Sequence, residues 1–152
     1  MVFLDSNIFI IDRFFPRDNN YLKNKQFLEQ LKNLKVKAAL PYYTLLEICG
    51  VTSFNLSSEE QAKWLYSFPA VYPVEILDPY ENPPAAPMNI ADYLLSLTPY
   101  ILKKMTVGDA IFLKEAEMYN AQAIFTWNKK HFLDRTGIPV YLPDEYTAVN
   151  HS

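Results

Sequence analysis

Cysteine is almost missing from this chain: Cys49 is the single one, which excludes an internal disulfide and a cysteine-based zinc site. Cys49 itself reads as a small buried apolar residue. Glycine is scarce, with three residues against eleven tyrosines and ten phenylalanines. That leaves little material for flexible loops and much for a bulky core. No apolar run reaches the roughly 18 residues of a membrane span. The first residues lack the basic region and small-residue cleavage site of a secretory signal, so a reducing cytoplasm is the expected setting. Nor is there an excess of basic charge. With 14 Lys and Arg against 17 Asp and Glu, the formal net charge is −3, which argues against a uniformly basic nucleic-acid-binding surface.

What is present is a globular composition, 50% hydrophobic and 20% charged over 152 residues. A chain of this length buries roughly 70% of its unfolded surface and makes one ordinary domain, expected over 1–152. The lysines cluster. Lys23, Lys25, Lys32, Lys35 and Lys37 stand against Glu29 alone, and Lys103-Lys104 and Lys129-Lys130 add two pairs. Each cluster by itself is a solvated helix face or loop; together they leave room for a basic rim around an acidic centre.

Hydrophobic patterning predicts strands alternating with helices. Val2 to Asp5 reads as a short buried strand turning into a helix. Phe27, Leu28, Leu31 and Leu34 fall at helical spacing, giving an amphipathic helix from about Asn20 to Leu34. Val36 to Leu40 is a strand, and Pro41 suits the first turn of a helix that runs through Glu47 and stops near Gly50. Ser57-Ser58-Glu59-Glu60 starts another helix, with a hydroxyl cap and acids in the first turn. Val74 to Leu77 is a strand. The stretch from Asp78 to Asn89, with prolines at 79, 83, 84 and 87, reads as a rigid loop within the domain. A helix over Asn89 to Lys103 should break or kink near Pro99, and a further helix spans about Val107 to Tyr119. Ala123 to Thr126 and Val140 to Leu142 are strands, and a short tail begins at Pro143. This order predicts an α/β three-layer sandwich around a mostly parallel sheet of about five short strands.

Three carboxylates sit in apolar settings. Asp5 is the only charged residue between Met1 and Asp12, Glu47 the only one between Lys37 and Glu59, and Asp109 the only one between Lys104 and Lys114. Glu59, Glu60, Glu115, Glu117, Asp144 and Glu145 stand among other charges and read as ordinary surface acids. Asp5 alone could accept backbone hydrogen bonds at its turn, Asp109 could be steadied by a helix dipole, and Glu47 could pair with a lysine. If all three converge, repulsion prevents all from ionising without a counter-charge. The solutions are a raised pKa or a hard divalent cation, and Mg²⁺ or Mn²⁺ with oxygen ligands leaves positions open for phosphate oxygens. The pattern therefore predicts a metal-dependent phosphoryl-transfer site at the carboxyl edge of the sheet.

Several segments, in order along the whole chain, carry a family likeness. They are Phe3-Leu4-Asp5-Ser6-Asn7, Leu45-Leu46-Glu47-Ile48, Val107-Gly108-Asp109-Ala110, Phe125-Thr126-Trp127-Asn128-Lys129-Lys130-His131-Phe132 and the closing Ile138-Pro139-Val140 with Pro143-Asp144-Glu145-Tyr146. Together they resemble the PIN-domain ribonucleases, most of all the VapC-type toxins of type II toxin–antitoxin pairs. The resemblance implies a single PIN-like domain and a metal-dependent endoribonuclease using Mg²⁺ or Mn²⁺. It implies that Asp5, Glu47 and Asp109 are the catalytic, metal-binding acids. Asn128 stands where many members carry a fourth aspartate; its amide oxygen still ligates a metal or holds a ligated water, without charge. Asn7 and Thr126 resemble the neutral residues that steady the acids.

The resemblance further implies an RNA substrate, products with a 5′-phosphate and a 3′-hydroxyl, a cognate antitoxin and a homodimer; lysines of the 23–37 helix or the pair Lys129 and Lys130 would draw the RNA backbone in. His131, flanked by lysines, is expected on a surface turn with no catalytic role, and Trp127 in the core. Two alternatives are a catalytically weakened PIN-like RNA- or protein-binding module, favoured by Asn128, and an RNA-processing nuclease outside any toxin–antitoxin pair. A haloacid-dehalogenase-type phosphatase would need a second aspartate where Asn7 stands, and a receiver domain would need an N-terminal acidic pair that is absent.

Overall fold

A computed structural model of the chain describes residues 1–80 and 89–146. Five strands, β1 (Val2–Leu4), β2 (Ala38–Pro41), β3 (Val74–Leu77), β4 (Ala123–Phe125) and β5 (Val140–Tyr141), pair in the order β3-β2-β1-β4-β5. Every pairing is parallel. A parallel sheet has both faces covered, which is why β1, β2 and β4 are apolar without interruption, while the edge strand β3 carries the exposed Glu75.

The pleat sends alternate side chains to two cores. Val2, Leu4, Ala38, Leu40, Ala123 and Phe125 face one way, beneath α1 (Ser6–Phe14), α2 (Tyr21–Asn33), α3 (Tyr42–Thr52) and α4 (Ser58–Val71). Phe3, Ala39, Ile124 and Val140 face the other way, beneath α7 (Val107–Met118), with α5 (Ile90–Leu95) and α6 (Thr98–Leu102) beside it. The result is the helix–sheet–helix sandwich that the alternation of elements predicts. α3 reaches past the sheet to pack on α7, and that contact brings Glu47 beside the start of α7.

Two details differ from the sequence expectation. Pro41 ends β2 and precedes α3; its φ of −63° with ψ of 148° is extended, and the ring is compatible with a strand end as well as a helical first turn. α3 continues past Gly50 to Thr52, whose hydroxyl donates to Ile48 O (2.8 Å). The interruption expected near Pro99 is present: the stretch from Asn89 to Lys103 is two helices, with Pro99 in the first turn of α6. The proline-rich loop lies largely, over 81–88, outside the described residues.

Candidate active site

Asp5 follows the last residue of β1 and caps α1, so its carboxylate lies at the carboxyl edge of the sheet, where β1 and β4 run side by side. Its Oδ1 accepts from Ser6 N (2.7 Å) and, less closely, from Ser6 Oγ (3.3 Å). Its Oδ2 accepts from Asn7 Nδ2 (2.7 Å) and Thr126 Oγ1 (2.6 Å). Asn7 Oδ1 accepts from Trp127 N, and Thr126 Oγ1 accepts from Asn128 N (2.9 Å). These bonds stitch the end of β1 to the residues after β4. Asp5 is 8% exposed and Thr126 fully buried.

Glu47 projects from α3 and Asp109 from the first turn of α7, whose Thr106 cap accepts Asp109 N–H (3.2 Å). Gly108 gives Glu47 its room: a Cβ there would lie 2.7 Å from Glu47 Oε1. Electrostatics ties the three acids together. Burial raises the Asp5 carboxyl above the usual carboxylate range against the pull of its hydrogen bonds, and the Asp109 charge raises it further. Burial likewise raises Glu47, with the Asp5 charge next and the Asp109 charge after it.

The acids are neighbours but not a closed ligand shell. Among the described residues, no three His, Cys, Asp or Glu side chains are gathered tightly enough to hold a metal ion as they stand. The three acids thus form a loose group, with Asp5 held by its own hydrogen bonds. The donor set, all oxygen and mutually repelling, still fits a hard divalent cation. A cavity of about 540 Å³ opens elsewhere, between α1 and α4 under Arg13, and none of the three acids lines it.

Of the neutral candidates, Asn7 and Thr126 bond to Asp5, and Asn128 joins them through its backbone N–H. Trp127 packs on the core, its Nε1 donating to Asn24 Oδ1 (2.7 Å). Lys129 is engaged with Glu145 (2.9 Å), so of the pair only Lys130 is exposed and without an ion pair among the described residues.

One expectation fails and another is incomplete. His131 sits on the surface turn expected of it, but its ring is engaged: Nδ1 lies 3.2 Å from Asp109 Oδ2 and Nε2 2.6 Å from Asn128 Nδ2. Nothing in the local sequence announces Asp109 as its partner, because α7 and the turn after β4 meet only in the fold. Glu115 is not an ordinary surface acid: it is 1% exposed and accepts from Tyr93 OH (2.7 Å) and Tyr80 N (2.8 Å). Its place one turn after Ile111 and Phe112, on the apolar stripe of α7, was the available signal; Lys114 and Glu117 on either side obscured it.

No family model and no curated protein sequence matches the chain. Solved structures do. The chain aligns over 93% of its length with 98% of a chain of VapBC2 from Rickettsia felis, solved bound to a promoter DNA fragment, at 19% identity and a TM-score of 0.64. A toxin–antitoxin complex from Klebsiella pneumoniae aligns over 94% of this chain and 98% of its own, at 20% identity and a TM-score of 0.57. DNA-bound VapBC from Salmonella typhimurium aligns over 93% and 97%, at 17% identity and a TM-score of 0.62. The chain has a VapC-like PIN fold. In this PIN fold the acids Asp5, Glu47 and Asp109 come from three separate elements, β1's end, α3 and α7, and draw near at one edge of the sheet. No helix among the described residues is long and apolar enough to cross a membrane.

Proposed function

We propose that this PIN-fold chain, one domain over 1–152, is a metal-dependent endoribonuclease, the toxin of a type II toxin–antitoxin pair acting in the cytoplasm. One observation carries the reading: a buried aspartate at the carboxyl end of a central parallel strand, with the Asp109 charge near enough to raise its proton affinity and that of Glu47, which the Asp5 charge raises too. A protein gains nothing in stability from such repulsion, and function is the usual reason to keep it.

A bound Mg²⁺ or Mn²⁺ supplies charge neutralisation at the scissile phosphate and acidifies water. Asp5 and Asp109 are the oxygen donors that hold the ion, Ser6 Oγ being the weakest of the Asp5 partners to displace. Glu47, half-buried with its Oε1 against Gly108, positions the attacking water. Asn128 Oδ1 orients water or phosphate, and Asn7 and Thr126 keep the Asp5 carboxylate from rotating. Lys130, exposed beside the site, draws in the RNA backbone; Lys129 takes part only by leaving Glu145. Attack of water at phosphorus with loss of the 3′-oxygen gives a 5′-phosphate and a 3′-hydroxyl.

The test is cleavage of labelled single-stranded RNA in Mg²⁺ or Mn²⁺. Asp5→Asn and Asp109→Asn abolish cleavage while unfolding stays cooperative, and excess EDTA stops the wild type. Wild-type cleavage that survives excess EDTA overturns the reading. A second reading, a binding module with weakened catalysis, draws on the uncharged Asn128. It predicts RNA binding with no cleavage in either metal.

That the neighbour from Klebsiella pneumoniae is a toxin–antitoxin complex supports a cognate antitoxin partner, one that covers the acid group. Tyr43, Leu46, Val51 and Phe54 on α3 and its end are exposed, Phe54 by 92%, which supports a further surface covered by a second copy. Sedimentation of the isolated chain as a monomer would remove the homodimer from the proposal.

A further inference from the structure

We propose that His131 is a positioning residue: its imidazole turns the Asn128 amide so that the oxygen, and not the NH₂, is the end left for a ligand. Its use rests on the metal-dependent reading above; its geometry does not.

The ring faces two groups of opposite hydrogen-bonding character. Nδ1 lies 3.2 Å from Asp109 Oδ2 and Nε2 lies 2.6 Å from Asn128 Nδ2. An ionised carboxylate only accepts and an amide NH₂ only donates. One imidazole suits both as the tautomer with its proton on Nδ1: the Nδ1 proton faces the Asp109 carboxylate, and the Nε2 lone pair accepts from Asn128. The amide has two ends, so committing the NH₂ to the ring leaves Oδ1, which takes no hydrogen bond among the described residues. Against the neutral ring protonated on Nδ1, asparagine offers a donor where an aspartate would set an acceptor against the Nε2 lone pair. The orientation gives position 128 what an uncharged residue needs there, an oxygen facing outward, and the same ring steadies Asp109.

The turn that carries His131 does not depend on its imidazole. Phe132 is fully buried with its ring 5.3 Å from that of Phe112, one turn beyond Asp109 on α7. Arg135 Nη1 donates to the carbonyls of Lys130 and His131, and Lys129 is tied to Glu145. With these anchors in place, replacing a side chain that is 39% exposed leaves the fold standing and removes the orienting contact alone.

The test has two readouts. In metal-free protein labelled with ¹⁵N-histidine, the neutral ring of His131 carries its proton on Nδ1. His131→Gln distinguishes its signals from those of His151. In Asn128→Ala the preference for that tautomer weakens but is kept, because Nδ1 still faces the Asp109 carboxylate. Calorimetric titration with Mn²⁺ gives binding about 10- to 100-fold weaker in His131→Ala, and a smaller loss when the same change is made in Asn128→Ala, because the group being oriented is gone. A wild-type ring protonated on Nε2, or a His131→Ala variant that binds Mn²⁺ as the wild type does, overturns the proposal. A wild type that binds no Mn²⁺ overturns the metal-dependent reading instead, and the tautomer alone then decides the role of His131.

Discussion

At the scale of single residues, Asp5 is held between two opposed effects. Its four hydrogen-bond donors favour the charged form, while burial and the Asp109 charge oppose it, and the balance raises its pKa from an ordinary 3.8. Glu47 is raised from 4.5, chiefly by burial. A carboxyl with a raised folded-state pKa binds more protons folded than unfolded. Its contribution to stability is therefore fully present below the unfolded value and lost as pH rises through the folded one. The metal-free protein should thus lose stability from these two groups between about pH 4 and the higher folded values. Asp5→Asn should flatten that slope, read as urea midpoints over the range; an unchanged slope would count against burial as the cause. Glu115 is the contrasting case, a buried acid whose lone pairs are used by Tyr93 OH and Tyr80 N and whose neighbour Lys114 is 3.7 Å away. Tyr93→Phe removes a bond to a buried charge and should cost about 1.5–3 kcal/mol of unfolding free energy by denaturant titration.

At the scale of elements, the meeting of α3 and α7 decides what the site can do. Gly108, in the first turn of α7, leaves room for the Glu47 carboxylate, which a Cβ would crowd to 2.7 Å. The crowded atom is the free end of a flexible side chain, and alanine is the better helix former by about 0.8–1.0 kcal/mol. Gly108→Ala should therefore fold with stability within about 1 kcal/mol of wild type. Its displaced carboxylate should lower RNA cleavage about 10- to 100-fold, and unchanged cleavage would remove Glu47 from the mechanism. Element boundaries were legible wherever local chemistry marks them. Ser57 makes a full capping box with Glu60, Thr106 caps α7, and Asp5 caps α1, each at the position its residue type predicts. Pro41 was misread because one φ serves both a strand end and a helical first turn.

At the scale of the whole molecule, a ligand that binds the native state alone adds stability by mass action. Mg²⁺ at about a hundredfold its Kd should raise the unfolding free energy by about 2.7 kcal/mol, with no gain in Asp5→Asn. A melting temperature indifferent to Mg²⁺ in the wild type would set the metal aside. The alternation of strands and helices was readable because each element carries its own periodicity and caps. So was the isolation of Asp5, Glu47 and Asp109, since a charge among apolar neighbours shows in any short window. The strand order β3-β2-β1-β4-β5 was not readable, and neither was the looseness of the acid group, the pairing of His131 with Asp109, nor the commitment of Glu115 to two tyrosines. By itself the amino-acid order determined which segments become strands and helices and which acids stand alone. Tertiary structure decided which of those acids and which neutral partners meet, because that depends on helices packing across a parallel sheet between residues far apart in the chain.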